Sequence, residues 1–284
     1  MREAVTEPFA NGLADGADRL PKVLWTLWLQ GWGQAPQVPR RCLENMRLAN
    51  PDWRVEALDR ESLEDHLPPR TLAELDALTG TPTEYSDLVR LALLQRHGGV
   101  WMDATCVCAV PLNAWIHDVT RVGFFAFSRP GPQRELASWF LCARPGDAVV
   151  DALLSASLGY WRARDVPHDY FWMHDLFGTL ILHHATVAER WSRVPKLSAR
   201  HRFHYGPAAL RLLARPAAED ERSLTDPPAP VFKLTLKVEG QGGGELVPPG
   251  SLLERLLDVD PTDALRAARF RRRALETLGR TAPE

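Results

Sequence analysis

Between Thr83 and Cys108 runs TEYSDLVRLALLQRHGGVWMDATCVC, and this stretch constrains the fold more than any other. Leu88, Leu91, Ala92 and Leu94 recur at helical spacing, and Gly98-Gly99 supply residues able to end a helix with a positive φ. Val100-Trp101-Met102 is short, apolar and bulky, as a buried strand is. Asp103 follows at once, where that strand leaves the core. In open α/β sheets the carboxyl end of a strand is where ligands bind. Asp87 and Arg90, three residues apart, share a helix face. The pattern therefore predicts two acids and one arginine at a single cleft mouth.

The rest of the chain predicts an α/β fold around this unit. Leu20 to Trp28 is an alternating, β-favouring strand broken by Gly31 and Gly33. Pro39 to Asn50 is a helix stopped by Asn50-Pro51, and Trp53 to Asp59 alternates as a second strand. Strand, helix and strand with short connections make a βαβ unit and so a parallel sheet. Ser62 to Leu78 is helical and broken by Pro68-Pro69. Val122 to Phe127 is a buried strand, Leu136 to Ala143 an apolar run, and Ala148 to Arg164 a long helix. Asp169 to Phe177 packs aromatics around the pair His174-Asp175, which is costly to bury without partners. A proline-rich loop, Ala217 to Pro230, leads into an alternating strand, Val231 to Lys237, and Gln241 to Gly244 is a turn. The expected domains are a loose arm over 1–19, one globular domain over 20–262, and a basic helix or tail over 263–284 that carries Arg266, Arg269, Arg271, Arg272 and Arg273.

A net charge of −2 predicts no general affinity for nucleic acid. No apolar stretch is long enough to span a bilayer, and residues 1–19 lack the apolar run of a signal peptide. The four cysteines form neither a metal pattern nor a disulfide framework. Cys106 and Cys108 share one strand face, which suits packing, and a reducing cytoplasm fits. The basic C-terminal helix could rest on an anionic membrane, peripherally at its inner face, or simply be solvated.

The segment SDLVRLALLQRHGGVWMDAT resembles the signature of sugar-nucleotide glycosyltransferases related to family 32 and, more closely, of the capsular polysaccharide synthesis proteins. In these a Ser-Asp-x-x-Arg helix precedes Gly-Gly-x-x-x-Asp. The resemblance covers Leu20 to Phe177 and, more thinly, Val231 to Lys237. It implies a GT-A-type fold, a Rossmann-like, mostly parallel sheet flanked by helices. It also implies transfer of a sugar from a nucleoside-diphosphate sugar, a UDP-sugar, to a glycan or small-molecule hydroxyl, with retention, in capsular or cell-surface polysaccharide synthesis.

The same resemblance assigns residues. Asp103 would hold a divalent cation, Mn2+ or Mg2+, on the departing diphosphate. The family's Asp-x-Asp reads Asp103-Ala104-Thr105 here, so Thr105 offers a hydroxyl without charge, and waters, the phosphates themselves or a later residue such as Asp175 would complete the shell. Asp87 would bind ribose or sugar hydroxyls and Arg90 would orient the donor, the alternative being a plain ion pair on a helix. Trp25 or Trp28 would underlie the base, unless they are core residues; Asp59, by its own place at a strand end rather than by the resemblance, would touch ribose or base, unless it caps Arg60-Glu61-Ser62. Lys233 would reach the diphosphate, unless it lies on a solvated strand face. Ser138, Trp139 and His174 fall on the acceptor side, with a histidine satisfied inside an aromatic helix as the alternative for the last.

Two other functions stay open at this stage. One is a non-catalytic sugar-nucleotide-binding protein, favoured by the missing second acid. The other is a sugar-phosphate nucleotidylyltransferase, whose phosphate loop after the first strand needs a basic residue that Gln30-Gly31-Trp32-Gly33-Gln34 lacks.

Overall fold

The computed structural model describes residues 20–200, 213–217, 229–235 and 247–279. The expected arm 1–19, the turn Gln241–Gly244, most of the loop before Val231 and residues 280–284 lie outside the described residues, as do Leu236 and Lys237. The chain opens with a βαβ unit: β1 (Val23–Leu27), α1 (Gln37–Ala49) and β2 (Arg54–Leu58). After α2 (Pro69–Leu78) and α3 (Pro82–His97) comes β3 (Gly99–Met102). Both β2 and β3 pair in parallel with β1, Leu58 opposite Leu27 and Trp101 opposite Trp25. Then follow β4 (Cys106–Cys108), α4 (Ile116–Val119), β5 (Phe124–Ser128) and β6 (Leu136–Ala143). β6 lies antiparallel between β3 and β5, with Phe140 opposite Met102. The sheet order is thus β2-β1-β3-β6-β5, and β6 alone opposes the direction of the other four strands. This is the mixed α/β sheet, mostly of one strand direction and flanked by helices, that the sequence predicts.

The helices α5 (Ala148–Arg162), α6 (Trp172–His183) and α7 (Ala185–Arg193) pack on one another, and α5 also lies on α3. α1 packs instead on β4 and on a short helix, Leu252–Leu257. β7 (Val231–Lys233) pairs antiparallel with β4 in a second, two-stranded sheet, and the helix Ala264–Gly279 follows.

Every residue of β1 is buried, although its sequence suggests alternation. The reason is its place: a central strand covered on both faces has no solvent side. The edge strand β2 shows the partial exposure expected of it. α7 and Leu252–Leu257 go beyond the sequence expectations, being only 9 and 6 residues long, shorter than the span over which a helical period is read.

α3 is delimited at both ends by its sequence. Thr81 and Glu84 form a reciprocal capping box, with Glu84 N donating to Thr81 Oγ1 at 3.3 Å and Thr81 N to Glu84 Oε2 at 2.9 Å. Its other end is stopped by two glycines with φ of 64° and 95°. A methyl on Gly98 would lie 2.7 Å from Pro145 N and 2.8 Å from Ala143 O, and one on Gly99 would lie 2.6 Å from Val23 O. The pair therefore does two jobs: it reverses the chain, and it lets β3 enter between β1 and β6 at backbone contact.

Candidate active site

The strands β1, β2 and β3 run in one direction, so Trp28, Asp59 and Asp103 come out at the same edge of the sheet. Asp103 is held there by its own backbone. Its N–H donates to Trp139 O at 2.9 Å, and its carbonyl accepts from Cys106 N at 3.0 Å, closing the turn into β4. The carboxylate meets three donors. Oδ1 accepts from the Trp101 indole at 3.0 Å and lies 3.4 Å from Arg90 Nη2, and Oδ2 lies 3.3 Å from Lys233 Nζ.

Arg90 is no surface ion-pair residue, its side chain being only 5% exposed. Nη2 is 2.9 Å from Asp87 Oδ1, Nη1 donates to the Ser138 carbonyl at 2.8 Å, and Nε donates to Ser86 O at 3.3 Å. The guanidinium also lies over the Trp101 ring, 5.1 Å from its centre. Its fork is spent largely on protein acceptors, so in this structure Arg90 holds the carboxylates of α3 and β3 together rather than offering itself outward.

Lys233 is delivered by β7. The register that sets Lys233 opposite Cys106, with Leu234 N donating to Thr105 O at 2.8 Å, brings its ammonium to the Asp103 turn. Nζ donates to Thr105 Oγ1 at 2.5 Å. The reading of Lys233 as a solvated strand lysine is thereby replaced.

The two acids differ electrostatically. Burial pushes the Asp87 carboxyl up to about 6, against the pull of Arg90 and a hydrogen bond from the Trp172 side chain. Burial also acts upward on Asp103, but Arg90, Lys233 and the Trp101 indole outweigh it and hold that carboxyl below the usual range. Asp103 is thus the settled anion of the pair.

Other candidates divide. Trp25 is buried, donates its indole N–H to Gly98 O at 2.8 Å and packs edge-on against His66, so it is a core residue and not a base platform. Trp28 is half-buried just past the end of β1, at the sheet edge where Asp59 and Asp103 emerge. Asp59 Oδ1 accepts from Ser62 N and Oγ, both at 2.9 Å, the local cap that its sequence context allows. Trp139 is buried and stacks on Phe127 at 5.0 Å, whereas Ser138 contributes its backbone carbonyl to Arg90. His174 lies in the first turn of α6 with Nδ1 buried and without a hydrogen-bond partner, and burial together with Arg134 and Arg90 drives its pKa down to about 4. It is a neutral imidazole beside the site. Asp175 turns the other way, to His168 Nε2 at 3.0 Å, and so does not join Asp103.

Trp101, Trp172 and Ser86 are parts of the site that sequence reasoning missed. The first lies on β3 only two residues before Asp103, which follows the strand, and could have been found by that spacing. Trp172 comes from a helix 85 positions beyond Asp87 and carries no local signal.

A divalent cation needs several oxygen ligands around a net negative centre. Here the two oxygens at the motif position, Asp103 Oδ2 and Thr105 Oγ1, both face the Lys233 ammonium. Among the described residues no group of three or more His, Cys, Asp or Glu side chains could hold a metal ion. The residues present do not fit the implied cation. The cysteines do not either: all four are buried thiols pushed upward by burial, Cys108 to about 12.

Known proteins resemble this chain as follows. Residues 15–241 match the family model described as capsular polysaccharide synthesis protein. The chain is 28% identical over 141 residues to an O-glycosyltransferase, PaGT, of Phomopsis amygdali, covering 45% of this chain and 32% of that one. It is 28% identical over 138 residues to a glycosyltransferase of Acanthamoeba polyphaga mimivirus described as uncharacterized, covering 46% and 53%. The chain therefore spans about a third to a half of the length of these relatives. Among solved structures, the PaToxG glycosyltransferase superimposes with a TM-score of 0.44 at 12% identity, over 60% of this chain and 73% of that one.

Proposed function

The chain belongs to the family of capsular polysaccharide synthesis proteins, and from that premise we propose that it is a glycosyltransferase. It moves a sugar from a UDP-sugar to a glycan or other hydroxyl acceptor in the assembly of a capsular or other cell-surface polysaccharide. The observation that carries this reading is Asp103 at the carboxyl end of β3, gripped by the Trp101 indole and the cations of Arg90 and Lys233. Such an edge suits a polyanionic ligand, and fixed positive charge there can stabilise a departing diphosphate.

In the proposed reaction the bond from the sugar C1 to the diphosphate breaks with its electron pair on the diphosphate oxygen. The acceptor oxygen bonds to C1, and its proton passes to the departing diphosphate. Asp87 and Asp103 are both held by cations, so neither stands free as the base of an inverting displacement, which supports retention. Trp28 is the proposed base platform, and the unpartnered Nδ1 of His174 the proposed contact to the acceptor hydroxyl. No described helix is long and apolar enough to cross a membrane. The proposed location is the cytoplasm, with peripheral contact to anionic lipid through the basic face of the C-terminal helix.

The test is release of UDP from a panel of UDP-sugars by the parent and by Asp103→Asn, with folding checked by circular dichroism. The parent should turn over at least one donor, and the variant should lose on the order of 10² to 10³ of that rate. Equal rates would remove Asp103 from the chemistry. Binding without release by the parent would make the chain a sugar-nucleotide-binding protein.

A further inference from the structure

We propose that the Lys233 ammonium, and not a divalent metal, is the positive partner of the departing diphosphate, so that transfer at this site is metal-independent. This rests on the glycosyltransferase reading above and concerns the same cleft.

Three observations carry it. First, the position of the family's second acid is Thr105, whose hydroxyl accepts from Lys233 Nζ at 2.5 Å while the same ammonium lies 3.3 Å from Asp103 Oδ2. A lysine thus sits between the two side chains that would otherwise share a cation. Second, this lysine is built in and not a stray surface side chain. Its side chain is 17% exposed, it follows the β4–β7 pairing, and Leu234 N is tied to Thr105 O at 2.8 Å. Third, the local charges already balance: Asp87 and Asp103 face Arg90 and Lys233, two of each sign. A dication binding at Asp103 would be drawn to an assembly without net negative charge and would compete with the ammonium for the same two oxygens. Asp175, which could have added charge, is paired with His168 at 3.0 Å.

A diphosphate presents the opposite case. One of its oxygens can take the third N–H of the Lys233 ammonium, the other two facing Thr105 and Asp103, and a charge-assisted contact of this kind is short and strong. As the C1–O bond breaks, the electron pair settles on an oxygen beside that ammonium. Lys233 keeps its proton throughout, and the acceptor's proton leaves with the diphosphate.

The experiment is calorimetric titration of the full chain with the diphosphates of uridine, guanosine, adenosine, cytidine and thymidine, first in excess EDTA and then with manganese. At least one should bind with a Kd that agrees within twofold between the two conditions. Lys233→Met should weaken that binding tenfold or more in EDTA, and manganese should not restore it. A Kd at least tenfold tighter in manganese for the parent would overturn the inference and leave the glycosyltransferase reading intact. Failure of all five nucleotides in both conditions would overturn that reading, and this inference with it. Should Lys233→Met fail to fold, Lys233→Arg, which keeps the charge, should bind in EDTA, and the parent comparison decides the matter without either variant.

Discussion

Arg90 Nη2 lies 3.4 Å from Asp103 Oδ1, and this contact ties the middle of α3 to the residue that follows β3. With Asp87 at 2.9 Å and the Ser138 carbonyl at 2.8 Å, one guanidinium joins three elements, α3, β3 and β6.

Replacement of Arg90 tests that junction. Arg90→Met leaves Asp87 buried without its cation, and breaking a buried pair in this way costs about 3–5 kcal/mol. Arg90→Lys keeps a charge but loses the fork that positions Asp87 and Asp103, so its stability should fall less while turnover falls by on the order of 10² through their misplacement. Urea unfolding and UDP release on both variants give the comparison. A fully active, fully stable Arg90→Lys would leave the fork without a role.

Asp87 should give the protein a pH-dependent stability of unusual sign. Burial raises its carboxyl to about 6 in the folded chain, against about 3.9 when unfolded. Between those values the native state binds more protons, so this group makes stability fall as pH rises from about 4 to about 6, and stay level above. Asp103, held low, has the opposite sign: its stabilisation is present above about pH 4 and lost as pH falls through its depressed value. Asp87→Asn should therefore gain on the parent by roughly 2–3 kcal/mol between pH 4 and pH 6. A constant difference across that window would show that Asp87 does not titrate there.

Gly99→Ala should destabilise the sheet rather than the helix. The added methyl would lie 2.6 Å from Val23 O at a φ of 95°, so both the backbone strain and the β1 contact count against it. The strain alone is about 1–3 kcal/mol. Thermal unfolding measures the loss, and an unchanged melting temperature would mean that β1 and β3 are not pressed together here.

The C-terminal helix is anchored by Phe270, which is buried with its ring edge-to-face 5.9 Å from Trp115. Removing the helix would uncover that contact, so charge reversal is the cleaner test. Arg269, Arg271 and Arg272 are exposed. Their joint change to Glu should abolish sedimentation with phosphatidylserine vesicles while sparing nucleotide binding. Equal sedimentation of parent and variant would dismiss the membrane contact.

What the sequence by itself determined lies within short reach along the chain. The helix, the two glycines, the strand and the terminal Asp103 are legible because each depends on neighbours a few residues away: apolar spacing, freedom at positive φ, a bulky run, a charge at its end. The same locality made Asp87 and Arg90 face one side. Tertiary structure decided which of these groups meet, and with what. Trp25 is turned into the core because β1 is covered on both faces, while Trp28, three residues on, is half-buried where the strand leaves the sheet. Asp175 is drawn to His168 across the turn before α6, although its neighbour His174 stays beside Arg90. Lys233 reaches Thr105 across 128 positions, and only the pairing of β7 with β4 sets that register. Charges interact through space and not along the chain, so the balance of cations and acids around Asp103 has no local signature and appears only when the strands are laid side by side.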